Sequence, residues 1–324
     1  MKTIKLMTLM LAAMGMAACS NDDNDIIDNA QEQPLPLTIT VTENPLQNPD
    51  APAQAPGTRA VVTTTSTLSK FTLDYQYFYG ESMYGVMTVS KDGDGKWTAS
   101  GTWPSTTSEV SWYAHTDGDF ISQPTPYLYF SVEEQANSQK DLLVANTSGT
   151  KSRTGGNLHF TFDHACTALK FYVKKSTNLD DYTLTVTSIM LRNIIKQGNY
   201  DFASALWVPG TTRTDYTLYS GSGKTLSSNS ETGWTLLNDS EDDYLFMIPQ
   251  TLTAWDGSTD IAAATTQTYI QLDCTITKNS DNVFSGTAYI PFGATLSAGY
   301  QYNVKINIGK NSLYRSPNTL IINN

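Results

Sequence analysis

Apolar residues fall on alternate positions along most of this chain. Leu35, Leu37, Ile39 and Val41 alternate with Pro36, Thr38, Thr40 and Thr42, and a period of two marks a strand with one buried face and one wet face. Phe71, Leu73, Tyr75 and Tyr77 repeat the pattern. Residues 84–90 then run through Lys91, Asp92, Gly93, Asp94 and Gly95 into 96–100, which predicts a hairpin. Further strands are expected around 110–114 and 127–132, at Leu158, Phe160 and Phe162, and at Leu169, Phe171 and Val173. A polar stretch at 174–181 interrupts the series, and strands resume at 183–186, 189–195, 244–248, 269–277 and 283–290. The last long alternating run is Tyr300, Tyr302, Val304, Ile306 and Ile308, followed by a tail that includes Thr319, Leu320, Ile321 and Ile322. The pattern predicts an all-β chain with two tandem β-sandwich domains, 60–178 and 179–324.

The amino end is of another kind. Lys2 and Lys5 precede an apolar stretch over 6–18, which is too short to cross a bilayer as a permanent helix and reads as an export signal. Met16, Ala17, Ala18 and Cys19 resemble the box cleaved by lipoprotein signal peptidase, with Met16 where leucine is preferred. Residues 1–18 are therefore expected to be a lipoprotein signal peptide, leaving Cys19 as the acylated first residue. A lipid inserts through its methylenes at about 0.8 kcal/mol each, so acylated Cys19 can hold a precursor on a membrane. Residues 20–25 are acidic and polar, and serve either as a surface-export signal or as a solvated tether.

Residues 19–59 then read as a prosegment that holds a removable strand at 35–42. After that strand, Pro45, Pro49, Pro52 and Pro56 stand among Ala and Gln, a composition that cannot stay in a sheet or helix for long. This linker ends at Arg59 and Ala60, where a trypsin-like protease could reach the chain.

Composition narrows the function. Only 16% of the 324 residues are charged and 40% are hydrophobic, enough for a core in each domain. The net charge of −11, with no basic run, argues against a nucleic-acid partner, because phosphate contacts need clustered Lys or Arg. Besides Cys19 there are Cys166 and Cys274, for which an exported location permits a disulfide. Cys274 alternates with Ile270, Leu272 and Ile276, so a small buried apolar side chain is the other reading.

Candidate chemistry is thin. Gly221, Ser222, Gly223, Lys224 and Thr225 carry the ending of a phosphate loop, but Leu218 stands where its first glycine is required, and a polar loop is expected. Asp92, Gly93, Asp94 and Gly95 lack the remaining ligands of a helical calcium loop and read as a tight turn. His159 and His164 would face opposite sides of one strand, which is poor geometry for a metal. Glu241, Asp242 and Asp243 could supply a carboxylate pair only if they flanked a cleft. No nucleophile elbow or Cys and His pair is present, so no catalytic residue, metal or cofactor is assigned. Trp97, Trp103, Trp112, Trp207, Trp234 and Trp255 are expected to pack in cores or at edges, although exposed aromatics can stack on sugars.

Several segments carry a family likeness. These are Asp141, Leu142, Leu143, Val144, Ala145; then Leu158, His159, Phe160, Thr161, Phe162, Asp163, His164, Ala165; then Leu169, Lys170, Phe171. Residues 188–193 with Gly198, Asn199 and Tyr200, then Phe246, Met247, Ile248, Pro249, Gln250, and Ala298, Gly299, Tyr300, Gln301, Tyr302 continue it. In order and spacing they resemble the fimbrillin family, the type V pilus subunits of Bacteroidales, with Cys166 where an apolar residue is expected. The resemblance implies transthyretin-like sandwiches and a lipoprotein precursor on the outer membrane. It also implies cleavage after an arginine by an arginine-specific surface protease, and polymerisation with other pilus subunits by strand exchange at the cell surface. Arg59 and Ala60 would flank the cut, Leu35, Leu37, Ile39 and Val41 would form the displaced strand, and Leu320, Ile321 and Ile322, or the 300–308 run, would form the donor. The alternatives are a surface lipoprotein that binds glycans through exposed aromatics, and a β-sandwich hydrolase.

Overall fold

The computed structural model describes residues 37–47, 63–105, 107–122, 125–228, 233–237, 244–257, 260–315 and 319–320. Its first half contains β1 (Thr38–Glu43), β2 (Lys70–Phe78), β3 (Ser82–Lys91), β4 (Trp97–Ala99), β5 (Val110–His115), β6 (Asp119–Ile121), β7 (Tyr127–Ser131), β8 (Leu143–Gly149) and β9 (Asn157–His164). There follow β10 (Thr167–Lys175), β11 (Thr183–Ile195), β12 (Gln197–Asp201), β13 (Leu206–Pro209), β14 (Arg213–Thr225), β15 (Thr235–Leu236), β16 (Leu245–Met247) and β17 (Gln250–Leu252). The last are β18 (Tyr269–Lys278), β19 (Asp281–Pro291), β20 (Ala294–Leu296), β21 (Gln301–Ile308), β22 (Tyr314–Arg315) and β23 (Thr319–Leu320). Among the described residues, helix is confined to a single turn at Lys151–Thr154, capped by the Thr150 hydroxyl, and to short 3-10 turns. The chain is all-β, as its alternating pattern requires.

Seven strands form a closed sheet in the order β1-β4-β3-β2-β5-β8-β9, with β9 returning to β1. Strand β9 shows why alternation predicts structure: Leu158, Phe160, Phe162 and His164 point inward and are buried, while the residues between them are exposed. Inside this sheet Phe71, Leu73, Val89, Trp112, Phe160 and Phe162 share a core with Leu37 and Ile39. Phe71 is its hub, with ring centroids 5.4 Å from Trp97, 6.0 Å from Phe160 and 5.1 Å from Phe162. Such tilted and edge-on pairs add to the burial of the rings themselves.

The second core lies between two layers. One is β10 with β15, β16 and the parallel strand β21, and the other is the six-stranded sheet β14-β11-β18-β19-β22-β23. Leu169, Phe171, Val173 and Ile306 meet Leu184, Val186, Ile189, Leu191, Ile270 and Leu272 between them. The wall between the cores is shared. On β5, Trp112 and Ala114 face the closed sheet while Tyr113 faces the second core, and Leu143 and Leu142 divide the same way.

Pairing also crosses the expected division at 178. Strand β10 lies in the sheet of β16 and β21, and β7 pairs with β12. The Gly221–Thr225 segment, expected as a polar loop, is the end of β14, where Val186 stands opposite Lys224 and Thr185 opposite Thr225. Its partner β11 supplies main-chain hydrogen bonds that let small polar residues extend. At the β3 to β4 turn, Asp92 Oδ1 accepts from the N–H groups of Asp94 and Lys96 at 3.0 and 2.8 Å, and Gly95 adopts a φ of 83°. A tight turn spends that carboxylate on its own backbone.

Cys166 and Cys274 are both buried thiols with no bond between them. Burial pushes the Cys274 thiol up to about 12 and raises that of Cys166 as well, so little thiolate forms in the folded chain. Neither should be alkylated by iodoacetamide at pH 8 until the chain is unfolded, when both should react. Intact mass before and after urea checks this, and rapid native modification would contradict it.

Candidate functional site

The seam that closes the first sheet is built around β1. This strand runs parallel to β9 over six positions, from Thr38 beside Asn157 to Glu43 beside Phe162. On its other side it meets the short β4 at a single pair, Ile39 with Trp97. Thr38 N–H donates to Gly156 O at 3.0 Å and Asn44 N–H donates to Phe162 O at 2.8 Å. Without β1, the sheet would have two open edges and unpaired main-chain groups along β9.

Each face of β1 makes its own contacts. Inward, Leu37 and Ile39 are only 7% and 4% exposed, and half-buried Val41 packs on the same core. Outward lies a polar ladder. Thr40 Oγ1 stands 2.8 Å from His159 Nδ1, and Thr42 Oγ1 is 3.3 Å from His159 Nε2 and 3.1 Å from Thr161 Oγ1. Asn44 Nδ2 donates to Asp163 Oδ1 at 2.7 Å.

The strand is also tied at its carboxyl end. Thr65 N–H donates to the Glu43 carboxylate, and Lys91 Nζ donates to Thr65 O at 2.9 Å. Thr63 N–H donates to Asp141 Oδ2 at 2.9 Å, the oxygen that also lies 2.8 Å from His164 Nδ1 in a pair almost fully shielded from water. Such a pair holds its place because leaving either member alone in the interior is costly. Further on, Leu46 packs against the second core, and Gln47 bridges to β21. Gln47 N–H donates to Gly299 O and Gln301 N–H donates to Gln47 O, both at 2.7 Å.

Of the residues singled out from sequence, Leu37, Ile39 and Val41 stand together on this seam. Cys19, Leu35, Arg59, Ala60, Ile321, Ile322 and the acidic run 241–243 lie outside the described residues. Leu320 ends β23, whose backbone pairs with β22. The outward partners His159, Thr161 and Asp163, and the clamps Glu43 and Asp141, were not found by sequence reasoning. The alternation of threonines on β1 and polar residues on β9 was the available signal, but nothing local says that the two rows meet.

The other candidates separate. His159 is exposed and His164 buried, on opposite faces of β9. Among the described residues no group of three His, Cys, Asp or Glu side chains could hold a metal ion. Trp97, Trp103, Trp112 and Trp255 are buried. Trp207 is half-buried and donates from Nε1 to Ala165 O at 2.6 Å, and Lys174 and Lys305 lie over Trp234 at 4.6 and 5.7 Å. The exposed aromatics are instead Phe78, Tyr79 and Tyr84 around the β2 to β3 turn.

A family model described as Fimbrillin-like matches residues 58–322. The chain is similar in fold to a fimbrial protein from Bacteroides vulgatus, with a TM-score of 0.54 and 17% identity over 84% of this chain and 95% of that one. It is also similar to a candidate cell adhesion protein from Bacteroides ovatus, with a TM-score of 0.45 and 12% identity over 86% of this chain and 94% of the other. No curated protein matches significantly.

Proposed function

Because this chain belongs to the fimbrillin-like family, we propose that it is a structural and adhesive subunit of a surface pilus, polymerised when a strand of a neighbouring subunit takes the place of β1. Members of this family are structural proteins of the cell surface and not enzymes. The observation that supports strand exchange is the position of β1, which fills a gap in a closed sheet while the family match begins downstream of it, next to Arg59.

The energetics favour refilling. Vacating the sites of Leu37 and Ile39, and part of that of Val41, exposes surface whose burial contributes about 4 to 8 kcal/mol gross, before ordering entropy. An incoming strand recovers this with main-chain hydrogen bonds and alternate apolar side chains. Between the two candidate donors the tail is the easier to release: β21 pairs with β10 over eight positions and buries Ile306 and Ile308, whereas β23 joins its sheet by two. Donor and gap belong to different surfaces, so the contact is head to tail and builds a filament.

In this reading the precursor is held at the outer membrane by lipid on Cys19, and an arginine-specific surface protease cuts between Arg59 and Ala60. Residues 1–59 contain three Lys or Arg and seven Asp or Glu, so the chain from Ala60 carries a net charge of −7 against −11 for the full sequence. Intact mass and amino-terminal sequencing of the protein from native surface filaments test this, with Ala60 expected as the first residue. A second reading, an anchored lipoprotein that binds glycans, draws on Phe78 and Tyr79, which are 68% and 72% exposed. It requires an uncut, acylated Cys19 terminus, and finding that in filaments would overturn strand exchange.

A further inference from the structure

The inward contacts of β1 cannot by themselves choose a partner. An apolar groove accepts Leu, Ile, Val or Met in alternation at small cost, and main-chain pairing is nearly independent of sequence. The outward face carries chemistry that does discriminate. His159 presents both ring nitrogens to β1, with Thr40 Oγ1 at Nδ1 and Thr42 Oγ1 at Nε2. A neutral imidazole donates from one nitrogen and accepts at the other, and a hydroxyl can do either. Two threonines therefore satisfy the ring in both tautomers, whereas two valines of the same shape leave it only Thr161 Oγ1, 3.4 Å from Nε2, and water.

Register is marked as well. Thr161 Oγ1 adds a bond to Thr42, Asp163 accepts from the Asn44 amide, and Glu43 accepts from Thr65 N–H at the end of the groove. A slip of two residues that keeps the inward face inward sets Glu43 in the place of Val41, which packs on the core, and takes its carboxylate away from Thr65 N–H.

We propose that His159, Thr161 and Asp163 form a reading rim that selects the strand seated in this gap by its outward side chains. The favoured occupant is a segment of another subunit with apolar residues inward, hydroxyls at the two positions now held by Thr40 and Thr42, and a hydrogen-bond donor at that of Asn44. This rests on the strand-exchange reading and goes beyond it, because it assigns partner choice to exposed polar groups rather than to the apolar groove.

The test uses the full chain with the recognition sequence of a site-specific protease across residues 57–60. After cleavage, fluorescent peptides of residues 37–44 are offered, and capture is read by anisotropy and native mass spectrometry. The peptide with Ile39 and Val41 both replaced by aspartate sets the level of non-specific capture. The unsubstituted peptide should bind about five- to tenfold more tightly than its T40V/T42V form, which loses the hydroxyl bonds. On a His159→Ala chain the two should bind within about twofold, the signature of a direct coupling. Equal binding of both peptides to the unsubstituted chain would overturn the reading rim and leave strand exchange standing. Capture of neither above the aspartate control would overturn both.

Discussion

Replacing Ile39 with aspartate should destabilise the first core by about 3 to 5 kcal/mol, the range for a charge placed in an apolar interior without a partner. Ile39 is 4% exposed and stands at the one point where β1 touches both neighbours, beside Trp97 on β4 and Leu158 on β9. The chain has two ways to respond. It can bury the carboxylate at full cost, or it can expel β1 and leave the sheet open, which forfeits Leu37 and Val41 too. Either way the closed sheet unfolds earlier in urea. Tryptophan emission reports it, since Trp97, Trp103 and Trp112 belong to this core. Thr38→Asp on the exposed face is the control and should change stability by no more than about 0.5 kcal/mol. If Ile39→Asp unfolds at the same urea concentration as the unsubstituted chain, β1 does not close the sheet in solution.

Arg59→Ala should reduce pilus assembly to background while leaving the precursor folded. The basis is topological. As long as residues 48–62 join β1 to the rest of the chain, β1 is an intramolecular ligand at high effective concentration, and a neighbour's strand competes poorly with it. Cutting the connection makes release possible but does not force it, because the outward ladder, the Glu43 clamp and the Gln47 bridge all remain. Displacement should therefore be slow in the cut monomer and fast only when a donor strand is present. Electron microscopy of the variant's cells, with the mass of the retained precursor, checks this. Normal filaments built from uncut Arg59→Ala protein would remove cleavage from the mechanism.

Much of the fold could be read along the chain. The rows Leu37, Ile39, Val41 and Leu158, Phe160, Phe162 lie inward as their alternation requires, and His159 and His164 part to opposite faces. The apolar run at 110–114 forms β5 as expected, but no strand is expected at β8, where Leu142 and Leu143 serve different cores from adjacent positions and burial on both sides erases the polar half of the pattern. The Gly221–Thr225 stretch failed for the opposite reason: its partner strand holds it extended despite a composition typical of loops.

The candidate site divides along the same line. That residues 37–43 would form a strand needing a covered face follows from the residues alone, since side-chain direction alternates strictly along an extended backbone. What covers that face did not follow. Thr40 and His159 are 119 positions apart, and on β1 the threonines look like any solvated face until β9 is laid beside them. Periodicity is a local property, so the order of residues suffices for a strand-rich chain with an amphipathic segment near its amino end. That this segment closes a sheet, runs parallel to β9 and meets a row of polar side chains emerges only on folding, because pairing between distant strands depends on the whole chain coming together at once.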